Sequence, residues 1–193
     1  SRRQRQMCIR DSLIICMPGT GDNEGFDVAR TIKGQYEHIP MVILTPFSHG
    51  ITKRIANEDL SSFDYIFCWL GNTDLLVSII KLIEDKMNLE HDVSEVGVQI
   101  ILLVEDGIRF YSSILPNLYK FVLKQSQEFS TEALNAHQRT LRMRGRPKIV
   151  LARTYDEAIG IYEKYKNNIL GVITDVRFPR VERGEKDALA GIK

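Results

Sequence analysis

The sequence predicts an α/β fold built on parallel sheets. Short and almost entirely apolar runs alternate with amphipathic stretches of helical length along most of the chain. The apolar runs lack the polar alternation of half-exposed strands, and this is typical of parallel strands covered on both faces. The chain has 193 residues, of which 44% are hydrophobic and 26% charged, which is enough apolar material for a substantial core.

The first half of the chain, residues 13–87, predicts the order βαβαβα. Gly and Pro residues close the apolar runs, and Gly34 ends the first helical pattern. Thr73 is predicted to cap the third helix. The predicted strands cover residues 13–17, 41–44 and 65–70, and the predicted helices cover residues 24–34, 50–58 and 73–87.

The second half, residues 98–193, follows a polar stretch, 88–97, that we interpret as a linker. Thr154, followed three residues later by Glu157, is a capping signal for a helix. Residues 126–146 are an additional helical stretch that we interpret as an insertion. The predicted strands cover residues 98–104, 148–152 and 170–174, and the other predicted helices cover residues 108–125 and 154–166.

Charge and cysteine content exclude several classes of protein. There are 26 Lys and Arg residues against 25 Asp and Glu, a formal net charge of +1, so we expect no general nucleic-acid partner and no membrane partner. No signal peptide opens the sequence, no apolar run approaches a membrane span, and the three cysteines lack metal or CxxC spacing. We expect a cytoplasmic protein.

One segment of the chain is strongly basic although the overall charge is nearly balanced. It can be the solvated end of a helix, which its lack of interleaved aromatic residues favours, or a contact for nucleic acid or an acidic partner. The cluster consists of Arg139, Arg142, Arg144, Arg146 and Lys148.

The two ends of the chain look cut. Residues 1–12, SRRQRQMCIRDS, have no hydrophobic periodicity, and they resemble translated sequencing-adapter sequence. We expect this segment to be an artefact without regular structure; a genuine basic arm is the alternative. The last residues, EKDALAGIK, stop in what looks like the first turn of a helix. We therefore expect the chain to be a fragment of a longer protein.

Three carboxylates follow two predicted strands of the second half. Glu105 and Asp106 come directly after one apolar strand, and Asp175 follows another. Ligands of parallel α/β sheets bind outside the carboxyl ends of the strands, so these side chains converge if the strands are neighbours. Carboxylate oxygens suit Mg²⁺, and an Asp beside a metal can attack a phosphoryl group. Solvated turn residues are the alternative interpretation.

The segments around these carboxylates resemble response-regulator receiver domains. VQIILLVEDG is similar to the first strand of that family and GVITDVRFPR to its third, including Pro179 four residues after Asp175. The resemblance implies a flavodoxin-like, doubly wound parallel sheet. It also implies that Asp175 is the phosphoacceptor, that Asp106 binds Mg²⁺ directly and Glu105 mostly through water, and that the carbonyl of Arg177 completes the ligands. The family's switch Ser/Thr and catalytic Lys would lie beyond Lys193.

The first half resembles the complementary part of another receiver. MPGTGDNEGFDVARTIK, IPMVILTPFS and DYIFCWLGNTDLL are similar to the segments from the third helix to the last one. The alignment places Ile14 at the phosphoacceptor position. It places Cys68, which Trp69 follows, at the position of the catalytic Lys. Neither residue can perform the chemistry, so this half is expected to be a pseudo-receiver in which Thr45 is only a strand-end hydroxyl.

The whole run 13–193 is similar to tandem receivers that precede a phosphoenolpyruvate synthase-like, pyruvate-phosphate-binding region in large bacterial proteins. This implies a regulatory module, not itself an enzyme, that receives a phosphoryl group from a histidine kinase or a small phosphodonor and controls a downstream domain of the same chain. A structural or dimerising pair of receiver-like domains is the alternative. An aspartate-dependent phosphatase is disfavoured, because Asp175-Val176-Arg177 lacks the DxD pair.

Overall fold

The computed structural model describes residues 13–17, 24–46, 59–131, 145–181, 184 and 186–187. The chain divides into two compact units, Ser1–Asn72 and Thr73–Lys193. Both units are α/β, as the sequence predicts, and each contains one parallel three-stranded sheet. Residues 1–12 and the predicted helix at 50–58 lie outside the described residues.

The first unit is a parallel sheet with the strand order β1-β2-β3. Its central strand is buried over Met41–Thr45, and this explains why the run reads as continuously apolar. Phe26 on the helix packs edge-on against Phe63, with ring centroids 6.0 Å apart. The described elements are β1 (Ile14–Cys16), α1 (Glu24–Gln35), β2 (Met41–Pro46) and β3 (Tyr65–Trp69).

The second unit has a parallel sheet with the strand order β5-β4-β6 and a short antiparallel pair, β7-β8. Central β4 is buried except for half-buried Ile101, β5 is buried throughout, and α4 contacts both strands. The elements are α2 (Asp74–His91), a π-helical turn (Asp92–Val96), β4 (Ile100–Val104), α3 (Ile108–Thr131), β5 (Lys148–Ala152), α4 (Tyr155–Tyr165), β6 (Ile169–Thr174), β7 (Phe178–Pro179) and β8 (Lys186–Asp187).

The position of helix α2 is the largest difference between the structure and the division of the chain predicted from the sequence. We placed it at the end of the first half, but it packs against α3 and β5 and belongs to the second unit. Residues 88–96, interpreted as a linker, continue the helix and its π-helical turn until Gly97, whose φ of 71° ends it. Thr73 precedes the helix, but its side chain makes no capping hydrogen bond.

The second-unit helices otherwise follow the sequence patterns. Helix α3 runs beyond its predicted end at residue 125, so the predicted insertion begins as a continuation of α3, and residues 132–144 lie outside the described residues. Thr154 caps α4 as predicted: its hydroxyl accepts a hydrogen bond from the Glu157 N–H at 3.2 Å. In return, the Glu157 carboxylate accepts the Arg153 N–H at 2.8 Å. None of the helices in the described ranges combines the length and hydropathy that a membrane span requires.

Candidate functional site

The carboxyl ends of β4 and β6 lie side by side in the second sheet. Val104 pairs with Thr174 at the last register position of both strands. The ladder continues one step further, because the N–H of Asp175 donates to the Val104 carbonyl at 3.1 Å. On the other side of β4, the N–H of Glu105 donates to the Ala152 carbonyl at 3.0 Å. The backbone that carries the acidic residues is thus fixed by the sheet itself.

This arrangement brings three carboxylates together. Glu105, Asp106 and Asp175 each offer an oxygen, and these three oxygens all lie within 4.8 Å of one another. Glu105 is buried, Asp106 is half-buried and Asp175 is exposed, so the cluster opens to solvent on the Asp175 side. The prediction that the strand-end carboxylates converge is confirmed.

Glu105 is oriented by its own turn. Its Oε1 accepts a hydrogen bond from the N–H of Gly107 at 2.8 Å. A Cβ at residue 107 would lie 2.8 Å from that oxygen and 2.7 Å from Cδ2 of Phe110, closer than a real Cβ comes to either atom. The absence of a side chain at Gly107 therefore allows the backbone to approach the Glu105 carboxylate and hold it.

The turn after Asp175 is anchored in two places. Phe178 is only 2% exposed and packs in the core cluster with Leu102 and Val104. Two residues later, the carbonyl of Arg180 accepts the N–H of Asp156 at 3.1 Å and satisfies a donor in the first turn of α4. Within the turn, the N–H of Val176 donates to Oδ1 of Asp175 at 2.6 Å.

Three converging carboxylates are the donor set of a hard divalent cation. Oxygen-only ligands suit Mg²⁺ or Ca²⁺ and do not suit the softer metals that require Cys or His. Opposite charge from a cation also offsets the mutual repulsion of carboxylates held this close. The residues therefore fit a Mg²⁺ ion, although the donor set alone does not select Mg²⁺. Arg177 lies in the same turn as Asp175, and its role as a carbonyl ligand stays a prediction.

The corresponding edge of the first sheet carries no charged residue among those described. Thr45 pairs with Cys68 across β2 and β3, and both side chains are buried. The hydroxyl of Thr45 donates to the Pro46 carbonyl at 2.9 Å. Burial raises the pKa of the Cys16 thiol, which therefore stays neutral. Ile14 pairs with Met41 at the amino end of the sheet, away from Thr45 and Cys68.

A buried ion network in the second unit was not predicted from the sequence. Its centre is Asp85 on α2, which is 0% exposed. Arg146 binds this carboxylate with both terminal nitrogens, Nη2 to Oδ1 at 2.6 Å and Nη1 to Oδ2 at 3.0 Å. The Tyr119 hydroxyl and the Ile149 N–H also donate to Oδ2, at 3.0 and 3.1 Å.

A second cation and a second acid extend this network. Lys148 places its Nζ 3.6 Å from Oδ1 of Asp85 and 2.6 Å from Oδ2 of Asp92, in the π-helical turn. Burial alone would lower the pKa of Arg146, but the hydrogen bonds and charge of Asp85 raise it above its ordinary value, so the guanidinium stays charged.

The network corrects our interpretation of the basic cluster. Arg146 and Lys148 are 6% and 4% exposed and are paired with carboxylates, so they form neither a solvated helix end nor a free surface for a partner. Arg139, Arg142 and Arg144 lie outside the described residues. The sequence did contain one signal, since Asp85 falls at helical spacing between Leu82 and Leu89 on the apolar stripe of α2.

Comparisons with known proteins assign neither a family nor a function to the chain. No family model matches the sequence, and neither a curated protein nor a solved structure matches the chain. The receiver resemblance of the two acidic segments therefore stays a prediction, and the functional assignment depends on it together with the geometry of the carboxylate cluster.

Proposed function

We propose that the second unit is a receiver-type signalling module in which Asp175 accepts a phosphoryl group with the help of Mg²⁺. The observation that carries this proposal is the convergence of Glu105, Asp106 and Asp175 within 4.8 Å at the carboxyl edge of a parallel sheet. A receiver requires an acidic pair after its first strand and an Asp after its third. The chain has this combination at neighbouring strand ends.

The strand order supports a flavodoxin-like sheet. In chain order, the second sheet reads 2-1-3, the order of the first three strands of a flavodoxin-like fold. Within the described residues β6 is an edge strand, and it exposes three apolar residues, Leu170 at 52%, Val172 at 48% and Ile173 at 42%. A complete doubly wound sheet would pair and cover that strand. We propose that both units are partial receivers, the first contributing strands three to five and the second strands one to three.

The proposed reaction needs an accessible nucleophile in a fixed position. A carboxylate oxygen of exposed Asp175 attacks the phosphorus atom, and the bond from phosphorus to the donor's nitrogen or oxygen breaks. The products are an acyl phosphate on Asp175 and the free donor group. The Val176 N–H and the anchored turn hold the carboxylate during attack. A bound Mg²⁺, held by Asp106, Asp175 and the carbonyl of Arg177 with Glu105 acting through water, would neutralise the incoming phosphoryl charge.

Metal binding tests this proposal before any phosphoryl transfer is measured. Mg²⁺ titrated into the full chain should shift the amide resonances of Gly107 and Val176, whose N–H groups donate to Glu105 and Asp175. We expect Asp106→Asn to weaken the affinity by more than about tenfold, because a direct ligand is lost. Asp156→Asn, a change of an exposed acid on α4, is the matched control. Equal affinity in Asp106→Asn and the unmodified chain would contradict the assignment.

The first unit is proposed to be a pseudo-receiver with a structural role. The observation in favour is the uncharged carboxyl edge of its sheet within the described residues, where Thr45 and Cys68 lie opposite each other. A purely structural or dimerising role for both units is the second candidate, and it predicts no label on Asp175.

The upstream and downstream partners are proposed from the receiver resemblance. A histidine kinase or a small phosphodonor would supply the phosphoryl group, and a phosphoenolpyruvate synthase-like region of the same parent chain would receive the signal. We propose a cytoplasmic regulatory module that is not itself an enzyme. The gene sequence on both sides of residues 1–193 tests the linkage, and a gene without such a region would contradict it.

A further inference from the structure

The network around Asp85 joins one side of α2 to the edge of the second sheet. Asp85 and Tyr119 belong to neighbouring helices, Arg146 precedes β5, and Lys148 and Ile149 lie within β5. The carboxylate receives hydrogen bonds from Arg146, Tyr119 and the backbone of Ile149. Four parts of the second unit therefore meet at a single side chain.

Among the described residues, β5 is an edge strand, since it pairs with β4 on one side only. Its outward N–H groups would otherwise offer a template for pairing with another chain. The N–H of Ile149 instead donates to Asp85, and Leu89 of the same helix packs with Ile100 and Val150. Helix α2 thus packs against β5 and supplies its outer edge with a hydrogen-bond acceptor at Ile149.

We propose that α2 is a strap over the free edge of β5 and that Asp85 locks it in register. Apolar residues on the buried stripe of α2, such as Leu82 and Leu89, would tolerate a shift along the sheet, because contact between aliphatic side chains is not directional. A bidentate Arg146–Asp85 pair tolerates no such shift, because its two N–H groups must meet two oxygens. The register of the strap is therefore decided by charge and hydrogen bonds.

The composition of the network favours a positioning role over a contribution to overall stability. Two acids and two bases lose most of their hydration when they are buried, and a well-packed apolar cluster of similar volume would avoid that cost. Asp85, Asp92, Arg146 and Lys148 balance in charge, and each of these side chains has an ionic partner. This is the pattern expected where a buried polar group specifies one arrangement among several apolar alternatives.

Hydrogen exchange of the full chain, followed amide by amide by NMR, tests this proposal. Asp85→Asn removes the charge at nearly constant shape, and we expect the Ile149 amide and the α2 amides to exchange more than about tenfold faster. The amide of Leu102 in central β4 should keep its protection. Glu90→Gln is the matched control, because Glu90 lies on the same helix and its side chain is 81% exposed.

A milder variant keeps the test decisive if Asp85→Asn does not fold. Tyr119→Phe removes only the hydroxyl donor to Asp85, and we expect about threefold faster exchange at Ile149 and in α2. Either of two results would overturn the proposal: unchanged exchange at Ile149, or an equal increase at Ile149 and Leu102. The second result would mean that the network stabilises the whole unit and does not lock the strap.

Discussion

The two sheets have similar frameworks, but the residues described at their carboxyl edges are uncharged in the first sheet and include an acidic cluster in the second. Each has three parallel strands, and the central strand of each is deeply buried. In the first sheet, the residues described at this edge are uncharged, including the buried pair of Thr45 and Cys68. In the second sheet, Glu105, Asp106 and Asp175 converge there. The comparison shows that, among the described residues, two similar parallel sheets differ in whether an acidic cluster lies at the carboxyl edge.

The difference lies in a few residues after the strands. In the second unit, Gly107 lets the backbone hold Glu105, and Phe178 anchors the turn behind Asp175. These supporting contacts fix side chains that repel one another in the absence of a cation. Holding the carboxylates together therefore needs anchoring residues as well as the acidic side chains, and the predictions below examine both.

The largest expected effect follows from removing the anchor of the turn. Phe178→Ala should destabilise the second unit by about 3–5 kcal/mol, because it leaves a cavity beside Leu102 and Val104. Phe110→Ala, at a side chain that is 63% exposed, should cost less than about 1 kcal/mol. Urea unfolding monitored by circular dichroism measures both changes. Similar losses in the two variants would show that Phe178 is not an anchor.

A smaller effect is expected at the glycine beside Glu105. Gly107→Ala should displace the Glu105 carboxylate, since the new Cβ would lie 2.8 Å from Oε1. We expect Mg²⁺ affinity to fall by about threefold to tenfold, less than when a direct ligand is lost. Gly160→Ala, at a helical position with open space, is the control and should leave the affinity unchanged. Unchanged affinity in Gly107→Ala would remove Glu105 from the metal site.

The smallest expected effect is the difference in stability loss between alanine substitutions of two threonines that precede helices. Thr154→Ala should cost about 1 kcal/mol, because the hydroxyl accepts the Glu157 N–H. Thr73→Ala should change the free energy of unfolding by less than about 0.5 kcal/mol, since the Thr73 side chain makes no capping hydrogen bond. Thermal unfolding of both variants checks this difference. A larger loss at Thr73 than at Thr154 would contradict the capping geometry.

Hydrophobic patterns along the sequence predicted those parts of the fold that are decided by residues close together in the chain. The apolar runs identified all six strands of the two parallel sheets, with ends within about two residues, because the strands of parallel sheets are typically continuous apolar runs. The carboxylates were found because parallel strands end at the same edge of their sheet. In contrast, helical periodicity shows which face of α2 is buried and cannot show which sheet covers it. That is why α2 was assigned to the wrong unit.

The ion network was missed for a related reason. Asp85 meets its partners Arg146 and Ile149 across 61 and 64 residues of the chain, and no local pattern records such a contact. The basic cluster before β5 looks solvent-exposed in the sequence, and the place of Asp85 on the apolar stripe of α2 does not identify its partners. Only the docking of α2 against β5 converts them into one buried network.

The central claim is that Asp175 is a phosphoacceptor, and mapping a phosphoryl label tests it most directly. The full chain is incubated with a small acyl-phosphate donor and Mg²⁺, and the modified peptide is located by mass spectrometry. We predict one label on Asp175 that requires Mg²⁺, is lost in Asp175→Asn and is kept in Asp156→Asn. No label on Asp175 with Mg²⁺ bound, or a label within residues 13–87, would contradict this assignment.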